Sequence, residues 1–265
     1  MRSRIISSIL CTIFICACET EKSASIPELL DDNPKVTQIS VPGISDYLNI
    51  TIKYEGELII SITRPGDSIF FFYTNEQLDS ARRYSMVEND QYIDEQSVHF
   101  TKRNGKIIGA NFKSLNFEND TVRFRFIYNS DRLVALKSAY TVDTLLYNNE
   151  TITDIKTYLL IGGGFFVEFY GELLERKSFK SYIDRPNPYY LISNRLGFPY
   201  LSCLQDIALE EGNDYNKYCA STFEIENNEI GLITGTLGYE YDEMGRIKTI
   251  YNTTKPDFKT LIKYK

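Results

Sequence analysis

The chain has 265 residues, of which 43% are aliphatic or aromatic and 25% charged, a balance that can build a core and that excludes wholesale disorder. Its 36 acidic and 29 basic side chains leave a formal charge of −7, which argues against nucleic acid as a partner, because affinity there comes from neutralising phosphates with Lys and Arg. Twenty Tyr, 16 Phe and no Trp tilt the expectation towards strands, where aromatic rings suit a pleated, half-buried surface.

The first element is a leader. Arg2 and Arg4 precede an apolar run from Ile5 to Ala17, which has the layout of a signal peptide and is shorter than the roughly 20 residues a membrane span needs. Ile15-Cys16-Ala17-Cys18 resembles a bacterial lipobox. That resemblance implies cleavage before Cys18 and diacylation of its sulfur, with two acyl chains enough for stable anchoring; a plain secretory signal is the alternative. Residues 18–34 are polar and read as a flexible tether. Glu19 and Glu21 resemble the acidic cluster that sends Bacteroidetes lipoproteins to the outer face of the outer membrane. The expected division is therefore a leader over 1–17, a tether over 18–34 and one β domain over 35–265. No later stretch is long and apolar enough for a second membrane element.

From Leu48 the pattern is that of strands. Leu48, Ile50, Ile52 and Tyr54 alternate with polar residues, which places the apolar set on one face. Tyr54-Glu-Gly-Glu-Leu58 then reads as a hairpin: an aromatic-ended strand, a short polar turn and an apolar start to the return strand. The run Ile69–Tyr73 is apolar on both sides and is expected to be covered on both. Thr74-Asn75-Glu76 reads as the cap of a short helix over Gln77–Tyr84. Further hairpins are expected at Phe100–Ile107, Phe126–Leu133, Tyr147–Ile152, Phe169–Leu173, Phe223–Ile233 and Tyr239–Ile250. Several strands carry charge on the second face, as in Val122–Tyr128, which an antiparallel sheet with a solvated side requires.

Gly162-Gly163-Gly164 lacks the Lys-Ser/Thr and following helix of a phosphate loop, and reads as a bulge or a place where a ring or ligand lies on bare backbone. The stretch Tyr182–Tyr200, rich in Pro and aromatics, is expected to be an ordered loop. Leu201–Glu211 has helical spacing with Gly212 as its stop. Of five Cys, Cys11 and Cys16 leave with the leader and Cys18 is acylated, so Cys203 and Cys219 remain in a compartment that permits disulfides. They either pair, at about 3 kcal/mol of stabilisation, or stay as two buried thiols. The expected architecture is all-β and mainly antiparallel: serial β-hairpins forming a large twisted or curved sheet, with one or two short helices.

The segment YEYDEMGRIKTI, Tyr239–Ile250, resembles the YD-type hairpin of the Rhs/YD-repeat proteins. With the lipobox, the serial hairpins and Asn187-Pro188-Tyr189-Tyr190, the chain from Tyr47 onwards is similar to a Bacteroidetes lipoprotein family built of YD-repeat-like β-hairpins. The resemblance implies an architecture and a cell-envelope location, and brings no activity, cofactor or site residue with it. Only the last hairpin keeps Asp with Gly-Arg at its turn, and the chain is too short for a cargo-enclosing Rhs shell.

Catalytic patterns are thin. His99, the single histidine, lies in Ser97-Val-His99-Phe with no G-x-S-x-G elbow in the chain, and reads as a sheet residue. Two Cys and one His are too few for zinc, and no D-x-D-x-D-G calcium loop is present, so neither metal nor cofactor is expected. Asp31-Asp32, Glu210-Glu211 and Glu240 with Asp242 are carboxylate pairs, but a glycosidase needs two facing a cleft about 5–10 Å apart. Asp67-Ser-Ile, Asp79-Ser-Ala, Asp120-Thr-Val and Asp143-Thr-Leu resemble a Bacteroidetes O-glycosylation acceptor and read equally as Asx turns.

The expected function is thus a lipid-anchored envelope protein, in the outer membrane and facing the periplasm or the surface, that binds a glycan or a protein partner without catalysis. Tyr189, Tyr190 and Tyr200 are the candidate ligand contacts, because ordered aromatic loops on rigid sheets tend to carry function. The alternatives are a carboxylate-dependent envelope hydrolase and a structural subunit of an envelope assembly.

Overall fold

The computed structural model describes residues 34–42, 49–87, 91–114, 121–161, 169–200 and 215–265. The leader, the lipidation residue Cys18, the tether up to residue 33, Gly162–Gly164, Cys203 and the helix expected over Leu201–Glu211 lie outside the described residues.

The chain runs through β1 (Val36–Ser40), β2 (Ile50–Glu55), β3 (Leu58–Arg64), β4 (Asp67–Thr74), β5 (Gln77–Val87), β6 (Gln91–Arg103), β7 (Lys106–Ser114) and β8 (Thr121–Asn129). It continues through β9 (Arg132–Lys137), β10 (Thr141–Asn148), β11 (Thr151–Ile161), β12 (Phe169–Pro186), α1 (Pro188–Leu196), β13 (Tyr218–Asn227), β14 (Gly231–Tyr241), β15 (Ile247–Asn252) and β16 (Lys255–Tyr264). Each strand pairs antiparallel with the next, and β16 pairs with β1, so the sheet closes into a barrel. The all-β antiparallel expectation holds. Closure is the addition: period-2 alternation reads the same in an open sheet and a barrel.

Six of the seven expected hairpins are present. The exception, Phe169–Leu173, runs straight through as part of β12. Gly171 is there for a packing reason, since a Cβ would sit 2.7 Å from the Ile161 side chain on β11. The helix expected over Gln77–Tyr84 is strand β5. Asn75 and Glu76 take φ of 51° and 62°, the two left-handed residues of a tight hairpin turn, and Leu78, Ala81 and Val98 then join the core. The Ile69–Tyr73 run is covered on one face only: Ile69 and Phe71 are buried, while Phe70 and Phe72 are 38% and 46% exposed on the outside.

The tight turns after β2, β4, β6, β8, β10 and β14 gather at one end of the barrel, together with the start of β1 and the end of β16. The long connection from β12 to β13 also leaves and returns at this end. It carries α1, where the structure departs from the expected Tyr182–Tyr200 loop. The helix starts on an Asn187 cap that accepts from the Tyr189 N–H at 3.0 Å, has Pro188 in its first turn, and ends at Gly197 with φ 77°. Pro residues that read as loop are here a helix start.

Pro188, Tyr189, Leu191, Ile192, Ser193 and Leu196 are all buried, and the apolar ones belong to the same core as the inward side chains of β1–β9. A helix buried on several sides within that set is a plug in the lumen. Phe198 and Tyr200 extend it, with ring centroids 4.9 Å from Phe100 and 5.5 Å from Phe71 respectively. Each of these large side chains contributes about 1.5–3 kcal/mol relative to exposure. Asn216 fixes the returning segment: its side chain accepts from the Ile152 N–H at 2.7 Å and donates to the Tyr182 hydroxyl at 2.9 Å. A second cluster, of Leu145, Ile152, Ile155, Phe179, Phe223, Ile225 and Leu237, lines β10–β14.

Away from the plug the inner wall turns polar. Arg64 and Asp67 pair at 2.6 Å and Arg83 joins Asp67 at 2.9 Å, with both Arg64 and Asp67 side chains only 7% exposed. Across the wall, Asp143 accepts from Thr157 at 2.8 Å, and Lys177 pairs with Glu175 at 3.0 Å.

Candidate binding cleft

The plug does not seal its end flush. Between α1 and the turns after β4, β6, β8 and β10 lies an open cleft of about 1210 Å3, a little above the roughly 300–1,000 Å3 of most small-ligand sites. Its walls carry five phenol rings from different parts of the chain, Tyr73, Tyr128, Tyr147, Tyr190 and Tyr215, and a bank of cations, Lys102, Lys106, Arg132, Arg195 and Lys217.

Most of these groups are held before any ligand arrives. Lys106 pairs with Asp131 at 2.6 Å and lies 4.7 Å from the centre of the Tyr128 ring. Arg132 lies 4.7 Å from the centre of Tyr147, a cation–π contact worth about 0.5–1 kcal/mol when exposed. Arg195 reaches Glu57 at 2.7 Å. The Lys35 and Arg195 hydrogen bonds hold the Glu57 carboxyl below the usual range. Burial pushes the phenols of Tyr73 and Tyr147 up to about 12, so both remain hydrogen-bond donors at neutral pH. Lys102 is half-buried on the cleft wall and makes no ion pair among the described residues.

Of the three aromatic residues expected to meet a ligand, Tyr190 alone lines the cleft, with its hydroxyl 3.3 Å from the Asn194 side chain. Tyr189 and Tyr200 are 1% and 2% exposed and are core residues. The helix separates them: neighbours in sequence point roughly 100° apart around it, so Tyr189 enters the lumen and Tyr190 the cleft. Sequence reasoning missed Tyr128 and Tyr147 as cleft residues. Each ends the first strand of an expected hairpin, and the signal available was that such rings collect wherever the turns collect. Cys219 is a buried free thiol, which burial pushes up to about 12. His99 is exposed on the outer wall, in register with Ser80 and Asn111. Among the described residues no group of three metal-ligating side chains forms.

No protein-family model matches the chain, and no curated protein does. Among solved structures it is similar to a porin-like protein from Bacteroides uniformis, at 13% identity and a TM-score of 0.49 over 88% of this chain and 96% of that one. It is also similar to a porin-like protein from Bacteroides vulgatus, at 9% identity and a TM-score of 0.41 over 88% and 99%.

Proposed function

We propose that the protein is a cell-envelope binding protein that is held to the membrane by a lipid on Cys18, does not cross the bilayer with its strands, and takes a saccharide in the cleft beside the plug. The observation that carries the reading is the polarity of the wall. A membrane-spanning barrel needs an outward apolar band about 25 Å tall. Here the outward positions include Lys53, Arg82, Lys113, Arg123, Arg125, Arg176, Lys180, Glu226, Lys248 and Lys263, all exposed and spread over strands from β2 to β16. Outward apolar side chains such as Phe70, Phe72, Ile127, Leu146, Leu232 and Leu261 are interspersed with these charges, and the buried apolar clusters face the lumen. Such a barrel is built for water on its outside, and an envelope location then needs a separate anchor. Residue 34, where the tether joins, lies at the plugged end.

Saccharide fits the cleft because rings give apolar faces, and Lys, Arg and Asn groups around them give hydrogen bonds at sugar-hydroxyl range. The test is a glycan array probed with the chain from Glu19 onwards, compared with Tyr190→Ala and Lys102→Gln. Binding lost in both variants supports the reading. No glycan bound, with a stable envelope protein recovered instead, would replace the saccharide by a protein partner.

One observation favours hydrolysis as a second reading. Asp143 and Glu175 flank Thr157 in register on the inner wall, two strand spacings or about 10 Å apart. Burial raises the Asp143 carboxyl, while Lys177 holds Glu175 in an ion pair, which is the environment pattern of an acid and its partner carboxylate. Turnover of chromogenic glycosides that disappears in both Asp143→Asn and Glu175→Gln would establish it.

A further inference from the structure

We infer that the outer wall over β5–β9 is a second binding surface, for a saccharide chain bearing sulfate or phosphate groups. The register defines the surface. Ser80, His99, Asn111 and Arg123 form one row across β5, β6, β7 and β8. Arg82, Ser97, Lys113 and Thr121 form the next row, and Thr101, Gly109, Arg125 and Lys137 the row on the other side. Cross-strand partners share a face, so all of these look outward with the exposed His99, Lys113, Arg123 and Arg125.

No acid stands in these three rows, although the chain as a whole has a charge of −7. His99, Lys113, Arg123 and Arg125 make no ion pair among the described residues. Arg125 faces Lys137 directly across β8 and β9, and like charges placed opposite each other destabilise a sheet. Other parts of the outer wall hold ion pairs, Arg176 with Asp154 at 2.7 Å, Lys180 with Glu224 at 2.9 Å and Lys259 with Glu240 at 3.6 Å. Four cationic or protonatable groups gathered in acid-free rows make a surface whose complement is an anion.

The surface is also shaped. His99, Asn111, Lys113, Thr121 and Arg123 line a shallow groove of about 520 Å3. Gly109 keeps the wall low beside it, as a Cβ there would sit 3.0 Å from the Phe124 carbonyl. Neutral donors alternate with the cations, and Phe72, 46% exposed, borders Ser80 across β4 and β5. Cations bind sulfate or phosphate through charge-assisted hydrogen bonds, the hydroxyl and amide groups match sugar hydroxyls, and a ring face can carry a pyranose. A bilayer surface would use the cations and leave the interleaved donors without a role.

The experiment uses the chain from Glu19 onwards, with dextran sulfate and neutral dextran as immobilised probes, at about 150 mM salt, where charges beyond about 8 Å are screened. Dextran sulfate is expected to bind and dextran not. The double variant Lys113→Gln/Arg123→Gln, with an unchanged melting curve, is expected to lose at least about tenfold in affinity. Lys259→Gln/Lys263→Gln on another part of the wall is expected to stay within about twofold, and Tyr190→Ala to bind as the parent, which separates this surface from the cleft. Equal loss in both double variants, or none in the first, overturns the inference. So does a loss by the first double variant of binding to phosphatidylglycerol vesicles with dextran sulfate unaffected, which would assign the surface to a bilayer.

Discussion

The Tyr54 hydroxyl donates to the backbone carbonyl of Val36 at 2.8 Å, from the end of β2 to the start of β1. The same bond recurs around the barrel, from Tyr73 to Ile59 at 2.7 Å, Tyr147 to Leu133 at 2.6 Å and Tyr264 to Ile247 at 3.0 Å. Tyr182 with Ile152 and Tyr239 with Ala220 do the same on β12 and β14. A cation often precedes the accepting residue and lies over the ring: Lys35 on Tyr54, Arg132 on Tyr147 and Arg246 on Tyr264. These strands are thus tied to the strands before them at the plugged end, where the cleft forms.

Tyr73→Phe removes one such tie and keeps the ring. It is expected to cost about 1 kcal/mol, the net worth of one hydrogen bond, whereas Tyr73→Ala also removes half-buried ring and is expected to cost about 2–4 kcal/mol. Denaturant midpoints at constant slope measure both. Equal costs for the two variants would mean that the hydroxyl bond contributes nothing. Lys102, in register with Ile107, occupies the matching place on β6 and has no ring hydroxyl to donate.

The inner-wall triad makes a sharper prediction. Asp67 accepts from Arg64 at 2.6 Å and from Arg83 at 3.0 Å. Asp67→Asn leaves the buried Arg64 charge without its carboxylate and is expected to destabilise by about 3 kcal/mol. Loss of less than about 1 kcal/mol in equilibrium unfolding would show that water reaches this layer freely.

Asp143 gives stability a pH dependence of known sign. Burial raises its pKa in the folded chain, so the folded state binds its proton more tightly than the unfolded state does. Stability from this group therefore falls as pH rises from the ordinary carboxylate range through the raised folded value. Asp143→Asn keeps an acceptor for Thr157 and is expected to be more stable than the parent at pH 7, with the gain vanishing near pH 4. A melting-temperature difference independent of pH would contradict this.

Cys219 is expected to resist thiol reagents at neutral pH, because its thiol is buried and its pKa is pushed up to about 12. Peptide mapping without reductant should find Cys219 alkylated only after the chain is unfolded. A peptide still unlabelled in denaturant would show that the thiol is engaged in a disulfide.

Much of the barrel was legible in the residues. Tyr-turn-apolar units from Tyr54 to Tyr239 located most hairpins because a turn, its left-handed residues and the returning apolar residue are all local. Closure was not legible, since β1 and β16 lie at opposite ends of the chain and pair only in space. The cleft was legible in one residue: Tyr190 was singled out, yet so were Tyr189 and Tyr200, and only the phase of α1, set by Asn187 and Pro188, separates a cleft ring from core rings. The outer cations were visible as alternation in Val122–Tyr128, but their lack of acidic partners depends on which strands lie alongside.

On the proposed reading the barrel hangs from a membrane by its lipid and does not cross it. The direct measurement replaces residues 1–18 with a cleavable secretory leader lacking a lipobox, so that the exported chain begins at Glu19, and fractionates the cells. The parent is expected to stay with the membranes, and the exported, unlipidated chain to appear folded in the soluble envelope fraction. An unlipidated chain that remains in the outer membrane and resists alkaline carbonate extraction would contradict that reading.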